Sequence, residues 1–149
     1  MSKIEVDELV RSQHICRIAF MGEEYPYIAP FQYVLMKGSL YFHFTDYGRK
    51  MRYLERNNRV CVQIEHLAPD LSDYKFVVIR GTLDVVKNED ERNEAIQRMA
   101  QEGEKKLSRN FLAAHGLGKE EGWSELAGHK NATVVRLADV TEEMGLKSP

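Results

Sequence analysis

The sequence predicts a mainly β fold, an antiparallel barrel with peripheral helices, from three observations. About six short segments show the alternating or continuous apolar pattern that is typical of β-strands. Helical segments stand between them without the regular strand–helix–strand order of parallel α/β folds. Short strands that follow one another along the chain favour antiparallel neighbours. The 149 residues fit a single domain, residues 1–149.

The individual elements follow from the period of the apolar residues. Apolar positions three and four apart indicate helices, whereas alternating positions indicate strands. Short polar or glycine-containing turns separate the elements where the period changes. In chain order, the pattern predicts a helix over residues 2–12, strands over 14–21, 25–36 and 40–45, a helix over 47–57, strands over 59–66 and 74–86, a helix starting at Asn88, a second helical piece over 104–115, and a last strand over 132–140 followed by a short acidic tail.

Proline, glycine and asparagine refine three of these elements. Pro26 and Pro30 interrupt the second strand, and because proline cannot donate a hydrogen bond to a ladder, we expect that strand at a sheet edge or bent. Gly81 lies within the fifth strand and predicts a bulge or bend there. Asn88 and Glu91 have the spacing of a capping box, in which each side chain bonds to the backbone amide of the other residue.

Composition and charge exclude several classes of function. The chain has 21 basic and 23 acidic residues, and its net charge of −2 provides no global field that would attract nucleic acid. No apolar run reaches the length of a membrane span, about 18 residues. The amino-terminus lacks the basic and apolar pattern of a secretory leader, so we expect a cytoplasmic protein. In that reducing compartment, Cys16 and Cys61 are expected to be free thiols.

No catalytic residue of the protein itself is predicted. The five histidines show no metal-ligand spacing, so a dedicated metal site is not expected. No serine lies in a nucleophile elbow, and no pair of carboxylates or nucleophile–base pair can be argued from the pattern. Hydrolysis by a triad or by paired carboxylates is therefore poorly supported.

The junction between the third strand and the following helix is the most informative segment for binding. Arg49 and Lys50 follow Gly48 where the helix begins, with Asp46 as a candidate cap. Free amides at a helix start favour an anion, a lysine adds a point charge, and glycine lets the backbone approach a ligand closely. This pattern suits a terminal phosphate. The alternative is a solvated basic helix face, which is common.

The strand before this junction carries flat, apolar side chains. Tyr27, Phe31 and Tyr33 accompany the polar Gln32, so a planar ring system could lie against this strand. The alternative is ordinary core packing and cross-strand aromatic pairing. His43 could bond to a ligand phosphate or hydroxyl, or it could be a strand histidine bonded to a carbonyl.

The segment from Phe42 to Lys50 (FHFTDYGRK), with the asparagine turn and valine-rich strand after it, resembles a known family. This is the FMN-binding split-barrel family related to pyridoxamine 5′-phosphate oxidase, and its nitroimidazole-reductase-like branch is the closer match. The resemblance extends over roughly residues 6–86 and, more loosely, the last strand. The positions that match the family pattern in order are Pro26, Pro30, His43, Gly48, Lys50, Asn57 and Val60.

The resemblance implies a six-stranded antiparallel split β-barrel of the FMN-binding type, which forms a homodimer with FMN in a groove at the interface. Lys50 and Arg49 would bind the FMN phosphate with the backbone around Gly48. Side chains near the end of the third strand would line the ribityl chain and phosphate, the second strand would run beside the isoalloxazine, and a partner subunit would close the site. The implied cofactor-binding residues are Pro30, Phe31, Gln32, Tyr33, Val34, His43, Phe44, Thr45, Gly48, Arg49, Lys50 and, from the partner, Trp123.

The function implied by the resemblance is an FMN-dependent oxidoreductase that acts on a small organic molecule at flavin N5. NAD(P)H or another reductant would supply the electrons. One alternative is a flavin- or haem-binding carrier or sensor without turnover, in which His43 could ligate haem. Another is a dimeric scaffold without a ligand. The chain lacks the carboxy-terminal arginine pair with which the vitamin B6 enzyme binds its substrate, so oxidation of pyridoxamine phosphate is not expected.

Overall fold

The computed structural model describes residues 1–45, 48–128 and 132–149. Six antiparallel strands form a closed barrel in the order β1-β2-β3-β6-β5-β4, which confirms the predicted fold class. Two 3₁₀ helices lie between α3 and β6. The elements are α1 (Lys3–Ser12), β1 (Ile15–Phe20), β2 (Tyr27–Met36), β3 (Ser39–Thr45), α2 (Arg49–Arg56), β4 (Arg59–Leu67), β5 (Tyr74–Val85), α3 (Glu89–Lys106), the 3₁₀ helices Arg109–His115 and Trp123–Gly128, and β6 (Ala132–Lys147).

The proline-containing strand β2 lies between β1 and β3, so of the two predicted alternatives the sheet edge is wrong for the strand as a whole, and the bend stays a prediction. Its first half pairs with β1, where Pro30 lies opposite Arg17. Its second half pairs with β3 from Tyr33 onward. In the described pairings, Pro30 therefore has a partner strand on one side only. A residue without a backbone N–H is tolerated there for the same reason that proline is tolerated on edge strands.

Gly81 lies at an irregularity of β5, as its position in the sequence predicts. The register with β6 shifts between Arg80 and Thr82. A Cβ at position 81 would lie 2.6 Å from the carbonyl oxygen of Ala138. Glycine is thus required by the close approach of the neighbouring backbone.

Strand β6 is longer than the sequence pattern indicates, and the predicted acidic tail is part of it. The strand continues to Lys147, which pairs with Lys75 of β5. Because β5 starts at Tyr74, it offers pairing positions to the whole carboxy-terminal segment. Backbone pairing thus extends the strand where side-chain alternation is weak.

Two hydrophobic clusters lie on opposite sides of the β2–β3–β6 wall. The first fills the barrel, and α1 contributes Val6, Leu9 and Val10 to it. The second lies between the outer face of this wall and the layer formed by α3 and the 3₁₀ helices, which we call the helical cover. The predicted helical piece over residues 104–115 is divided between the end of α3 and the first 3₁₀ helix.

The helical cover contains one very close contact. The indole of Trp123 lies against Gly103 of α3, and a Cβ on that glycine would be 2.2 Å from the indole Cε3. Glycine inside a helix is ordinarily destabilising by roughly 0.5–1 kcal/mol relative to alanine. Here its missing side chain makes the space that the indole fills.

Helix α3 begins at the predicted cap. The Asn88 side chain accepts a hydrogen bond of 2.9 Å from the Glu91 backbone N–H. The reciprocal half of the predicted capping box is replaced by a tertiary contact. The Glu91 carboxylate instead accepts a hydrogen bond of 2.6 Å from the hydroxyl of Tyr41 on β3. This contact ties the start of the helix to the barrel wall.

Cys16 and Cys61 are free thiols, as predicted, and Cys16 is buried in the barrel. Among the described residues, none of the helices combines the length and the apolar character needed to cross a membrane.

Candidate functional site

Within the described residues, the amino-terminus of α2 has no side-chain cap. Its N-cap residue is Gly48, with φ 97° and ψ −176°, and no acidic residue lies in the first turn. Among the described residues, and apart from its chain neighbours, no heavy atom lies within 4 Å of the place where a Cβ at position 48 would be. The predicted cap, Asp46, lies outside the described residues. Glycine at the N-cap itself supplies no side-chain acceptor for the first-turn amides.

Lys50 is half-buried at this helix start. Its Nζ lies 5.5 Å from the ring centroid of Phe31 and 5.7 Å from that of Phe44. Burial lowers the pKa of Lys50, and within the described part of the chain no carboxylate acts on it. A cation next to the positive end of a helix dipole is unfavourable unless an anion approaches. The arrangement therefore favours binding of an anion.

The aromatic side chains of the predicted ring-binding strand fill the barrel. The Phe31 and Phe44 rings are 4.8 Å apart, and each lies about 6 Å from Phe20. The Tyr33 hydroxyl donates a hydrogen bond of 2.6 Å to the carbonyl oxygen of Val10. These side chains have the core-packing role that was the alternative to ring binding. A contribution of this strand to a ligand through its exposed edge at Pro30 stays a prediction.

On the opposite side of the wall, Gln32 and His43 meet a residue that no motif in the sequence marks. His115, from the first 3₁₀ helix, places its Nδ1 3.0 Å from the Nδ1 of His43. Its Nε2 lies 2.8 Å from the Oε1 of Gln32. Burial, and secondarily the charge of Lys50, lowers the pKa of His115 to about 4. Three polar side chains therefore lie together beneath the helical cover.

The remaining predicted residues lie in different surroundings. Val34 is buried beneath the helical cover, and Thr45 is buried at the end of β3. Trp123 is only 1% exposed, and its indole meets the His115 ring edge-on with centroids 5.6 Å apart. Its Nε1 has no hydrogen-bond partner among the described residues. The ring thus contacts its own chain, and a contribution to a partner's site stays a prediction.

The position of His43 bears on the haem alternative. The residue is 4% exposed, and its Nδ1 contacts His115. An axial ligand needs an imidazole nitrogen that the haem plane can reach. In this arrangement His115 engages the Nδ1 of His43, and a role of His43 as a haem ligand stays a prediction.

Solved structures with a similar fold include proteins with different described roles. An FAD-binding protein from Mesorhizobium loti has a TM-score of 0.72 and 18% identity, over 100% of this chain and 96% of that chain. A putative 5-nitroimidazole antibiotic resistance protein from Bacteroides thetaiotaomicron has a TM-score of 0.64 and 18% identity, over 97% and 82%. HutZ, the haem storage protein from Vibrio cholerae, has a TM-score of 0.68 and 17% identity, over 97% and 94%. At these identities the likeness establishes the fold alone.

The sequence comparisons establish the family. None of the curated proteins matches the chain. The sequence profile of the pyridoxamine 5′-phosphate oxidase family matches residues 2–121, which is most of the chain. The chain therefore belongs to the pyridoxamine 5′-phosphate oxidase family, and its closed six-stranded barrel agrees with this match.

Proposed function

We propose that the chain is a cytoplasmic, homodimeric, FMN-dependent oxidoreductase. It would transfer hydride or electrons to or from a small organic molecule at flavin N5, with NAD(P)H or another donor as the reductant. The observation that carries the proposal is the amino-terminus of α2, where Lys50 and Arg49 follow the uncapped Gly48. The family match and the described FAD binding of a protein with the same fold support a flavin as the ligand.

The start of α2 fits a phosphate group in three respects. The first-turn amides can donate hydrogen bonds, the helix dipole favours negative charge, and the open space at Gly48 admits the group to the backbone. Arg49 is exposed and Lys50 is half-buried, so one cation can meet the phosphate from solvent and the other from the barrel side. Charge-assisted hydrogen bonds to such an anion are about twice as strong as neutral ones.

When bound, FMN would itself supply the redox chemistry. The chain would bind the phosphate, orient the ring system along β2, and keep water from one of its faces. Hydride transfer at N5 requires no acid or base from the protein. This fits the lack of a predicted nucleophile–base pair in the sequence.

An apolar surface supports the proposed homodimer. A cleft of about 490 Å³ is lined by residues of β1, β4, β5 and β6. It includes Met21, whose side chain is 57% exposed, together with Pro26 and Cys61. An exposed apolar cleft of this kind is typical of interaction surfaces. We propose that a second copy of the chain covers it.

The test begins with an absorption spectrum of the protein as isolated, followed by mass analysis of the released chromophore. We expect flavin bands and the mass of FMN. A haem spectrum, or a colourless protein that takes up no FMN when titrated, would contradict the proposal. Anaerobic addition of NADPH or NADH then separates an enzyme from a carrier. Bleaching of the bound flavin by either donor is expected. A bound flavin that NAD(P)H does not reduce, and that no small organic substrate oxidises or reduces, would favour the carrier or sensor.

A further inference from the structure

A chain of hydrogen bonds runs from α3 to β3 beneath the helical cover. The Gln32 Nε2 donates a bond of 3.1 Å to the carbonyl oxygen of Met99. The Gln32 Oε1 lies 2.8 Å from the His115 Nε2, and the His115 Nδ1 lies 3.0 Å from the His43 Nδ1. All three side chains are at least 96% buried. Buried polar chains of this kind are stable only when donors and acceptors match at each step.

The chemistry of the groups fixes the direction of each hydrogen bond. The Met99 carbonyl can only accept, so the Gln32 nitrogen faces it and the Gln32 oxygen faces His115. The His115 Nε2 must then donate, which leaves the Nδ1 of the neutral ring as an acceptor. The Nδ1 of His43 must in turn carry a proton. In a neutral His43 ring, the Nε2 therefore bears the lone pair.

We propose that Gln32 and His115 are positioning residues, which hold His43 in its Nδ1–H tautomer and make its Nε2 a hydrogen-bond acceptor. Such a nitrogen takes a bond from an O–H or N–H group and cannot donate one to a phosphate oxygen. The consequence for the ligand rests on the proposed function. In an FMN site, Lys50 and Arg49 would hold the phosphate, and His43 could serve only a hydroxyl such as those of the ribityl chain.

The surroundings of His115 keep its ring neutral near pH 7. Burial and the charge of Lys50 on α2 both oppose an additional proton on His115. Among the described residues, the His115 ring also contacts the neutral side chains of Gln32 on β2, Phe111 on its own 3₁₀ helix and Trp123 on the second. Within the described ranges, no carboxylate acts on His115 to stabilise an imidazolium. The hydrogen bond from His115 to the Gln32 oxygen therefore selects the tautomer of His115.

The direct test is long-range ¹⁵N–¹H NMR of the histidine rings at pH 7.5. We expect a protonated Nδ1 and an unprotonated Nε2 for His43, and the opposite pattern for His115. A His43 ring protonated at Nε2, or two rings that both exchange between tautomers, would overturn the proposal. This measurement uses the unaltered protein, so it decides the question even if variants fold poorly.

A variant shows whether Gln32 sets the pattern. Replacing Gln32 with leucine removes both of its hydrogen bonds at similar size, and we expect the two His43 nitrogens to give averaged shifts. The control is Gln97→Leu on the exposed face of α3, which should leave the tautomers unchanged. A merely structural role for Gln32 predicts a fixed His43 tautomer in a folded Gln32→Leu protein, and that result would contradict the proposal.

The consequence for the ligand is tested with FMN and riboflavin, which differ by the phosphate. In Lys50→Gln the preference for FMN over riboflavin should fall at least tenfold. In Gln32→Leu both affinities should fall together, leaving that preference unchanged within about twofold, because one hydroxyl contact is common to both ligands. A selective loss of FMN binding in Gln32→Leu would place His43 at the phosphate and overturn the proposal. If the unaltered protein binds neither flavin, the proposed function fails, whereas the NMR result still decides the positioning role.

Discussion

The amino-termini of α2 and α3 satisfy their backbone amides in opposite ways. At α3 the Asn88 side chain accepts a hydrogen bond from the Glu91 N–H, and the first turn holds three acidic residues. At α2 the cap is Gly48, without a side chain, and the first turn is basic. The start of α3 is thus stabilised by groups of the chain itself. The start of α2 places positive charge at the positive end of the helix dipole, which is unfavourable until an anion binds.

This difference indicates that the amino-terminus of α2 is locally unstable because its residues are suited to binding a ligand. Local conflicts between residue type and structure are expected at functional sites, because elsewhere they only reduce stability. The contrast predicts that changes at α2 alter ligand binding, whereas changes at α3 alter stability alone. Four substitutions test it.

The largest effect is expected from Lys50→Gln. The loss of a charge-assisted contact should weaken FMN binding by about 1.5–3 kcal/mol, roughly 10- to 140-fold. Quenching of flavin fluorescence on titration measures it. Lys37→Gln, at the exposed turn between β2 and β3, is the matched control and should bind FMN normally. An unchanged affinity in Lys50→Gln would remove Lys50 from the phosphate site.

Gly48→Ala tests the backbone of the same helix start. Its dihedral angles, φ 97° and ψ −176°, lie in a region that is almost restricted to glycine, and an added side chain there costs about 1–3 kcal/mol. Urea unfolding should show this loss in the free energy of unfolding. Gly128→Ala also has open space around its Cβ, but without a positive φ, so it should have a small effect. Equal stability of the two variants would refute the strain at Gly48.

Asn88→Ala removes the cap of α3. The free energy of unfolding should fall by about 1 kcal/mol, because one amide loses its acceptor. Calorimetry or urea unfolding measures the change. The affinity for FMN, measured on the folded protein, should stay the same. A large loss of FMN binding would show that the two helix starts are coupled and would break the contrast.

The smallest effect is expected from Arg49→Glu, which gives α2 the acidic first turn of α3. Without a ligand, the favourable contact with the helix dipole should raise the free energy of unfolding by about 0.3–1 kcal/mol. FMN affinity should fall at the same time, because the phosphate meets a negative charge. Arg52→Glu, one turn later and also exposed, is the control for the change in net charge. The contrast would be weakened if Arg49→Glu lowered stability.

Local patterns were sufficient for most of the fold. Alternating apolar residues predicted the first five strands nearly to the residue, and Asn88 was correctly identified as a cap. The predictions were wrong where residues far away in the sequence form the hydrogen bonds that local residues were expected to form. Glu91 turns to the hydroxyl of Tyr41, fifty positions away, and so leaves the capping box incomplete. The end of β6 is a strand because β5 pairs with it, although its own side chains alternate weakly.

The candidate site also contains residues that could be predicted from the sequence and residues that only the fold brings together. The anion-binding features of Gly48, Arg49 and Lys50 are consecutive, so they could be found from the sequence. His115 could not, because nothing near it in the chain marks it, and only the folded cover brings it within 3.0 Å of His43. The polar Gln32 within an apolar strand was the one local signal that a buried partner existed.

The contact between Gly103 and Trp123 implies that the side-chain volumes at these two positions depend on each other. Since the indole occupies the volume of any side chain at position 103, a relative with a larger residue there would need a smaller one at position 123. The same indole touches the ring of His115, so a bulkier helix residue would push on that imidazole through the tryptophan. Variation at these two positions across relatives should therefore be correlated, and a protein that breaks the correlation should differ in its buried histidines.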